Sequence, residues 1–230
     1  MISITNEIPD LNTQNAEFIK IKCLFETYKN DNKVLFFEQD NGKAFVSFTD
    51  GNMIIYNISA DIEELTSFVD VMSPVAIYSD YETLKGIGRI PRERINIMSR
   101  KADVKIDTES DTLKSDEIYA LLDVDGLSLP DYPSFAVDYC RRLNLGLADY
   151  FALRGKCACI TFNCGDLAII NGLASKQKGF GHTALLGALT KNFGRTLFVC
   201  SRDKVLPFYE KYGFQLLYFG GYWVKSDEYN

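Results

Sequence analysis

Hydrophobic residues change their spacing along the chain, and each change predicts a new element. Apolar residues recur every three or four positions between residues 18 and 28, which predicts an amphipathic helix. They are then concentrated in three strand-like segments, at residues 34–37, 44–48 and 53–58. Asn41-Gly42 and Asp50-Gly51 separate these segments, and such dipeptides favour tight β-hairpin turns. The chain is therefore predicted to begin with a helix followed by a three-stranded meander.

The segments that follow predict an alternation of helices and strands. Ser59 is the expected cap of a helix over residues 61–72, in which most apolar positions lie three or four residues apart. The remaining elements of this half are a strand at residues 75–78, a short helix at 81–85, and strands at 95–98 and 104–106.

A polar stretch at residues 107–115 precedes a second series of elements. That series contains helices at 116–122 and 134–143, strands at 150–153, 157–162 and 167–174, a helix at 181–192, a strand at 196–200, a short helix at 204–212, and strands at 214–219 and 222–225. The order of elements recurs although the residue identities hardly match. We therefore predict two similar α/β domains, residues 1–106 and 107–230, each with a mixed, mostly antiparallel central sheet flanked by helices.

Composition and charge narrow the class of protein. The chain has 230 residues, of which 47% are hydrophobic and 24% charged, so it is neither disordered nor fibrous. The net charge is −6 and no local basic patch stands out, so we expect neither nucleic acid nor an anionic membrane as a partner. No apolar run approaches the roughly 20 residues that cross a bilayer. The first ten residues lack the basic region of a secretory signal, and a cytoplasmic protein is expected.

Three cysteines in one segment have spacing that could suggest a metal site. Cys157, Cys159 and Cys164 lie in a predicted strand and the turn after it, but they form no Cys-x-x-Cys motif. His182, the single histidine, stands in a different motif. A zinc site is therefore the weaker interpretation, and we expect buried free thiols and no metal.

The segment between residues 167 and 193 carries the most chemical information. A predicted strand leads into the loop Ser-Lys-Gln-Lys-Gly-Phe-Gly, residues 175–181, and then into a helix. Gly179 and Gly181 allow a ligand close to the backbone, and a helix N-terminus attracts anions. Lys176 and Lys178 add positive charge. The loop matches neither a Walker motif nor a dinucleotide fingerprint, so an ordinary strand-to-helix turn remains the alternative to a phosphate site.

A second motif downstream changes the balance between these alternatives. Residues 204–214, Lys-Val-Leu-Pro-Phe-Tyr-Glu-Lys-Tyr-Gly-Phe, form a short helix that ends in a glycine and a strand start. Together with Lys176-x-x-Gly179-x-Gly181, this segment resembles the GNAT-type N-acetyltransferase superfamily. The resemblance covers approximately residues 107–230. It implies that acetyl-coenzyme A is the co-substrate and that a primary amine accepts the acetyl group.

The resemblance also implies roles for individual residues. Leu173 and Ala174 would pair with the pantetheine amides, and Lys176 stands where the family has glutamine or arginine. The backbone of five consecutive residues would hold the pyrophosphate, namely Lys178, Gly179, Phe180, Gly181 and His182. Tyr209 matches the tyrosine near the thioester sulfur, and its phenol would protonate the departing thiolate. The alternatives are a purely packing role for Tyr209 and a surface position for His182.

The sequence departs from the family pattern at the general base. The predicted strand at residues 167–174 carries no acid, with Asn171 as its only polar side chain, so the base is unassigned. Two alternatives to an enzyme follow, namely an acyl-coenzyme A-binding module without turnover and a structural or interaction protein. The acceptor itself, a small molecule or a peptide, is not specified, and a homodimer stays open.

The first half lacks the equipment of the second. Where the second half has its glycine loop, the first has Asp61, Glu63 and Glu64 in the first turn of a predicted helix. These acids would satisfy the helix dipole and repel a pyrophosphate. We therefore predict that residues 1–106 form a degenerate domain of the same type without a cofactor site.

Overall fold

The computed structural model describes residues 1–11, 13–107 and 109–225. The helices in those ranges are α1 (Ala16–Tyr28), α2 (Ile62–Met72), α3 (Tyr81–Gly86), α4 (Ser115–Leu122), α5 (Tyr132–Asn144), α6 (Gly181–Lys191) and α7 (Leu206–Lys211). The strands are β1 (Ile2–Ile4), β2 (Leu35–Gln39), β3 (Ala44–Thr49), β4 (Asn52–Asn57), β5 (Ala76–Asp80), β6 (Glu93–Lys101), β7 (Ala148–Leu153), β8 (Cys157–Cys164), β9 (Leu167–Ser175), β10 (Thr196–Ser201) and β11 (Gln215–Val224).

Most predicted elements are present, and the differences have physical causes. Asp61, not Ser59, caps α2, since its side chain accepts hydrogen bonds from the N–H groups of Glu63 and Glu64. β11 is one strand that runs through Gly220 and Gly221, although two strands were predicted at residues 214–219 and 222–225. A Cβ on Gly221 would lie 2.8 Å from Leu84 Cδ1, so the missing side chain lets α3 pack directly on the strand. β6 is longer than the strand predicted at residues 95–98, the expected strand at residues 104–106 is absent, and β1 was not predicted.

The chain forms two compact units, and a single cut along the sequence does not separate them. Unit 1 consists of Met1–Met98 and Cys200–Asn230, and unit 2 consists of Ser99–Val199. The boundaries fall inside β6 and β10. The predicted division between residues 106 and 107 follows the order of elements along the chain, and it stays a prediction.

Unit 1 is built around a sheet in the order β1-β2-β3-β4-β5-β11. Neighbouring strands are antiparallel, apart from the parallel pair β4–β5. Alternate residues point to opposite faces of a strand, and the two faces carry separate apolar clusters. One cluster joins α1 to Phe45 and Tyr56, and the other joins α2 to Val46 and Ile55.

Unit 2 contains the strands in the order β10-β9-β8-β7, antiparallel except for the parallel pair β9–β10. α4 and α5 cover one face, where Leu122 and Phe135 join a cluster that includes Ala152 and Ile160. α6 packs against β7 through Gly187 and Phe151. The predicted class, an α/β fold with a mixed, mostly antiparallel sheet and flanking helices, is confirmed. None of the helices in the described ranges combines the length and apolar character needed to cross a membrane.

Candidate functional site

The open edge of β9 is the first feature of the candidate site in unit 2. β9 pairs in parallel with β10 over only three positions, the last of which is Phe198 opposite Ile169. From Ile170 onward, no partner on that edge is found within the described part of the chain, while the other edge stays paired with β8. Leu173 and Ala174, the residues expected to meet the pantetheine, lie in this stretch. An unpaired strand edge offers backbone donors and acceptors to an extended ligand.

A β-bulge interrupts β9 at the start of this open edge. Ile170 pairs with Thr161 and Gly172 with Ile160, so Asn171 has no opposite residue on β8. Bulges of this kind bend a strand and are common beside active sites. In the sequence, Asn171 stands out only by its polar side chain. The adjacent glycine inside a strand was the signal that could have indicated the bulge.

The N-terminus of α6 is free of capping groups. Phe180 occupies the N-cap position without a side-chain hydrogen bond, and the first helical bond runs from the Ala184 N–H to the Phe180 carbonyl at 3.0 Å. Among the described residues, no acceptor lies in hydrogen-bond geometry to the N–H groups of Gly181, His182 and Thr183. No acidic side chain lies in the first turn. These free donors and the positive end of the helix dipole favour an anion at this place.

The two glycines of the loop serve different purposes. Gly179 has a φ of +93°, a conformation that L side chains rarely adopt, so the turn itself requires this glycine. Gly181 lies outside the left-handed region, and a Cβ built on it would meet no atom within 4 Å. The space above Gly181 is therefore open, and a side chain placed there would lie over the free N–H groups.

Lysine side chains surround the loop, including one that sequence reasoning missed. Lys178 and His182 are exposed, and His182 Nε2 lies 3.3 Å from Thr183 Oγ1. Lys176 Nζ donates to the backbone carbonyl of Asp123, at the end of α4. Lys156 is also close, because its carbonyl accepts from the Lys176 N–H at 2.8 Å and its Nζ lies 5.0 Å from the Phe180 ring centroid. The β7–β8 turn therefore adds a third positive charge, which only strand pairing brings to the loop.

Tyr209 lies in α7 of unit 1 and is largely buried. Its ring centroid is 5.5 Å from that of Phe214, and its carbonyl accepts from the Phe214 N–H at 3.1 Å. Gly213, with a φ of +76°, makes the turn between these two residues. The motif at residues 208–214 is therefore a packed unit in which the tyrosine ring has a structural role. The chemical role of its hydroxyl stays a prediction.

In unit 1, the parallel pair β4–β5 and the N-terminus of α2 correspond to the β9 edge and the N-terminus of α6. There, side chains of unit 1 itself form hydrogen bonds to the backbone. β4 and β5 pair in parallel only as far as Ile54 and Tyr78. Beyond that point Ser79 Oγ donates to the Ile55 carbonyl at 2.9 Å. Asn57 Nδ2 donates to Thr83 Oγ1 at 2.9 Å, and Asp61 caps α2. The contacts of Ser79 and Asp61 satisfy backbone groups whose counterparts in unit 2 have no partner among the described residues.

Two of the three clustered cysteines are buried thiols, as predicted, whereas the prediction is wrong for Cys164, which lies at the end of β8 and is only half-buried. Cys157 and Cys159 lie in β8 and are buried, and burial raises the pKa of both thiols. Raised pKa values disfavour the thiolate, so neither is suited to act as a nucleophile. Within the described ranges, no group of three or more potential ligands could hold a metal ion.

Comparison with known proteins identifies the fold. No protein-family model and no curated protein matches the sequence. Among solved structures, a putative acetyltransferase from Pyrococcus horikoshii matches 93% of this chain and 80% of its own, with a TM-score of 0.58 and 10% identity. A tandem GNAT protein from the clavulanic acid biosynthesis pathway matches 90% of this chain and 87% of its own, with a TM-score of 0.53 and 6% identity.

A GCN5-related N-acetyltransferase from Sphaerobacter thermophilus matches 84% of this chain and 80% of its own, with a TM-score of 0.53 and 10% identity. At these identities the likeness is one of fold. The chain has the GNAT-type fold that the two sequence motifs indicated, and the match to a tandem GNAT protein agrees with the repeated order of elements.

Proposed function

We propose that this protein is an N-acetyltransferase that moves an acetyl group from acetyl-coenzyme A directly to a primary amine. The uncapped N-terminus of α6, next to the open edge of β9, is the observation that carries this proposal. A pyrophosphate would accept hydrogen bonds from the N–H groups of Gly181, His182 and Thr183. Lys156 and Lys178 would add positive charge nearby, and the pantetheine would extend along Leu173 and Ala174.

The chemistry of the proposed reaction needs little beyond positioning. The neutral amine nitrogen attacks the thioester carbon, and the carbonyl oxygen becomes an oxyanion. The nitrogen then gives up a proton to water as the C–S bond breaks and the amide forms. The bulge at Asn171 turns backbone away from the strand ladder, so it is our candidate donor to the oxyanion. Tyr209 would give its proton to the departing thiolate, an assignment that rests on the family motif at residues 208–214.

Calorimetric titration of acetyl-coenzyme A into the wild-type protein is the first test. We expect saturable binding, followed by release of free thiol when the complex is mixed with a panel of primary amines. Binding without thiol release for any amine would favour an acyl-coenzyme A-binding module, which the lack of an acid on β9 makes the main alternative. No binding by the folded protein would contradict the proposal and favour a structural or interaction role on the same fold.

Tyr209→Phe is expected to lower the rate of thiol release by about 100-fold, because general acid catalysis contributes at least that much in many enzymes. Phenylalanine retains the ring that packs against Phe214. The affinity for acetyl-coenzyme A should therefore change little, and the melting temperature measures what the hydroxyl adds to stability. Steady-state kinetics beside calorimetry would separate these effects. An unchanged rate would show that Tyr209 serves packing alone.

A further inference from the structure

Four titratable side chains meet in unit 1 at a place that the proposed reaction does not use. They are Glu17 in α1, Tyr78 in β5, Cys200 in β10 and Tyr218 in β11. The Tyr218 hydroxyl donates to Glu17 Oε2 at 2.5 Å and accepts from the Ala16 N–H at 2.8 Å. The Tyr78 hydroxyl lies 3.2 Å from Cys200 Sγ. Tyr218 therefore joins the first turn of α1 to β11 through two hydrogen bonds.

The carboxyl group of Glu17 is fully buried, with a relative exposure of 0%. Its second oxygen, Oε1, is also buried and has no hydrogen-bond partner within the described part of the chain. A Cβ built on Gly220 would lie 3.5 Å from Oε1 and 3.2 Å from Ile97 Cδ1, so backbone and apolar atoms flank this side. An ionised carboxylate with an unpaired buried oxygen is costly, whereas the neutral acid is much less so.

The charges that face Glu17 do not remove this cost. Burial raises the pKa of Glu17. The hydrogen bond from Tyr218, the interaction with the backbone N–H of Glu17 itself and the Lys20 charge only partly offset this increase, while Asp80 raises the pKa further. Lys20 Nζ lies over the Tyr78 ring, 3.8 Å from its centroid. Burial also raises the pKa values of Tyr78 and Tyr218, so both phenols keep their protons at neutral pH. Glu17 is therefore the carboxyl group of this cluster, and its ionisation lies above the ordinary range of a glutamate.

We propose that Glu17 is a pH switch built into unit 1, which holds the first turn of α1 against β11 while it is protonated and loosens that contact when it ionises. On ionisation the proton passes to solvent, and Oε1 is left negative without a hydrogen-bond donor in the part of the chain that the structure describes. Opening of the first turn of α1 would let water reach the carboxylate and would release the Ala16 N–H from Tyr218. The switch does not depend on the proposed acetyltransferase activity.

The first test compares the melting temperatures of the wild type and Glu17→Gln between about pH 4 and pH 9. The pKa of Glu17 is raised in the folded state from an ordinary value of 4.5. The protonated side chain therefore contributes its full stabilisation of the folded wild type below pH 4.5. Its advantage is lost as the pH rises through the folded-state pKa. Glutamine carries no charge at any pH. The melting temperature of the variant minus that of the wild type should therefore increase with pH and then level off.

The size of this change follows from linkage. For each pH unit by which the folded-state pKa of Glu17 lies above its ordinary value, the expected change in melting temperature is about 3–5 °C for a chain of this size. The pKa values of Glu26, Asp40, Glu64 and Asp103 are lowered instead. Their contribution is the same in both proteins and cancels in the difference. A difference that does not change with pH would overturn the proposal.

A second measurement reports the proton directly. The infrared difference spectrum of wild type minus Glu17→Gln should contain a protonated carboxyl band at mildly acidic pH that disappears as the pH rises. The protection factor of the Ala16 amide, which corrects for the intrinsic base-catalysed rise of exchange with pH, should fall over the same pH range in the wild type, but not in the variant. A band that is lost at the ordinary pKa of a glutamate, or lost without a fall in protection at Ala16, would contradict the switch.

Tyr218→Phe keeps the test decisive if Glu17→Gln does not fold. Removing the hydroxyl takes away the hydrogen bond that favours the carboxylate, so the protonated band should persist to higher pH than in the wild type. The wild type alone supplies the reference for this comparison. A band that shifts to lower pH, or does not move, would show that Tyr218 does not control the proton on Glu17.

Discussion

Replacing Gly181 by glutamate is expected to weaken the binding of acetyl-coenzyme A by at least about 100-fold, the equivalent of about 2.7 kcal/mol. The new carboxylate would lie beside the free N–H groups of α6, where it would compete with a pyrophosphate and repel it. Folding should not suffer, because a Cβ at this position meets no atom within 4 Å. An acid in the first turn of a helix is itself stabilising. Calorimetry for binding and thermal unfolding for stability would measure both effects.

Gly181→Gln is the matched control, since it has nearly the same size and shape as glutamate without the charge. Binding that survives in the glutamine variant and fails in the glutamate variant would show that charge at the helix N-terminus is decisive. Loss in both variants would show that the ligand needs the close backbone approach that a glycine permits. Wild-type affinity in Gly181→Glu would contradict the assignment of this helix terminus as the pyrophosphate site.

Gly187→Ala is expected to destabilise the protein by about 2–3 kcal/mol, a large effect for one methyl group. A Cβ on Gly187 would lie 2.1 Å from Phe151 Cγ, so α6 would have to move away from β7. Alanine is favoured over glycine in a helix by about 1 kcal/mol, which offsets only part of the strain. The expected fall in melting temperature is about 2–4 °C for each kcal/mol, measurable by calorimetric or spectroscopic unfolding.

Two variants separate the clash from a general effect of alanine in α6. Gly181→Ala makes the same change in the same helix where the space is open, and it should leave stability unchanged or slightly higher. Phe151→Leu introduced together with Gly187→Ala should recover part of the loss, because a smaller side chain leaves room for the new methyl group. Stability equal to that of the wild type in Gly187→Ala alone would show that Phe151 can turn aside freely.

The local pattern was sufficient to predict most helices and strands of this protein. The spacing of apolar residues and the hairpin dipeptides Asn41-Gly42 and Asp50-Gly51 indicated α1 and the first meander, and both are present. The prediction of two strands on either side of Gly220-Gly221 was wrong. A glycine pair occurs both in turns and in strands that another element covers closely, and the local sequence does not distinguish these two cases. The presence of α3 directly over Gly221 decides between the two, and this packing is not a property of the local sequence.

The candidate site was also predictable in part. The glycine loop and the helix after it indicated a free helix N-terminus at residues 181–183, and the absence of a cap there agrees with that expectation. Lys156 was missed, because it lies twenty residues before Lys176 in the sequence and reaches the loop only through the β8–β9 pairing. The open edge of β9 and the bulge at Asn171 depend on strand register, which no single segment contains.

The sequence by itself determined the properties that neighbouring residues create together. These are the periodicity of the elements, the glycine loop before α6, the acids in the first turn of α2, and the two motifs that indicated a GNAT-type fold. Tertiary structure alone decided the properties that depend on distant residues. It pairs Glu17 with Tyr218, covers Gly187 with Phe151, and buries one oxygen of Glu17 where no other described residue offers it a hydrogen bond. The reason is physical, because burial and strain depend on every atom around a group.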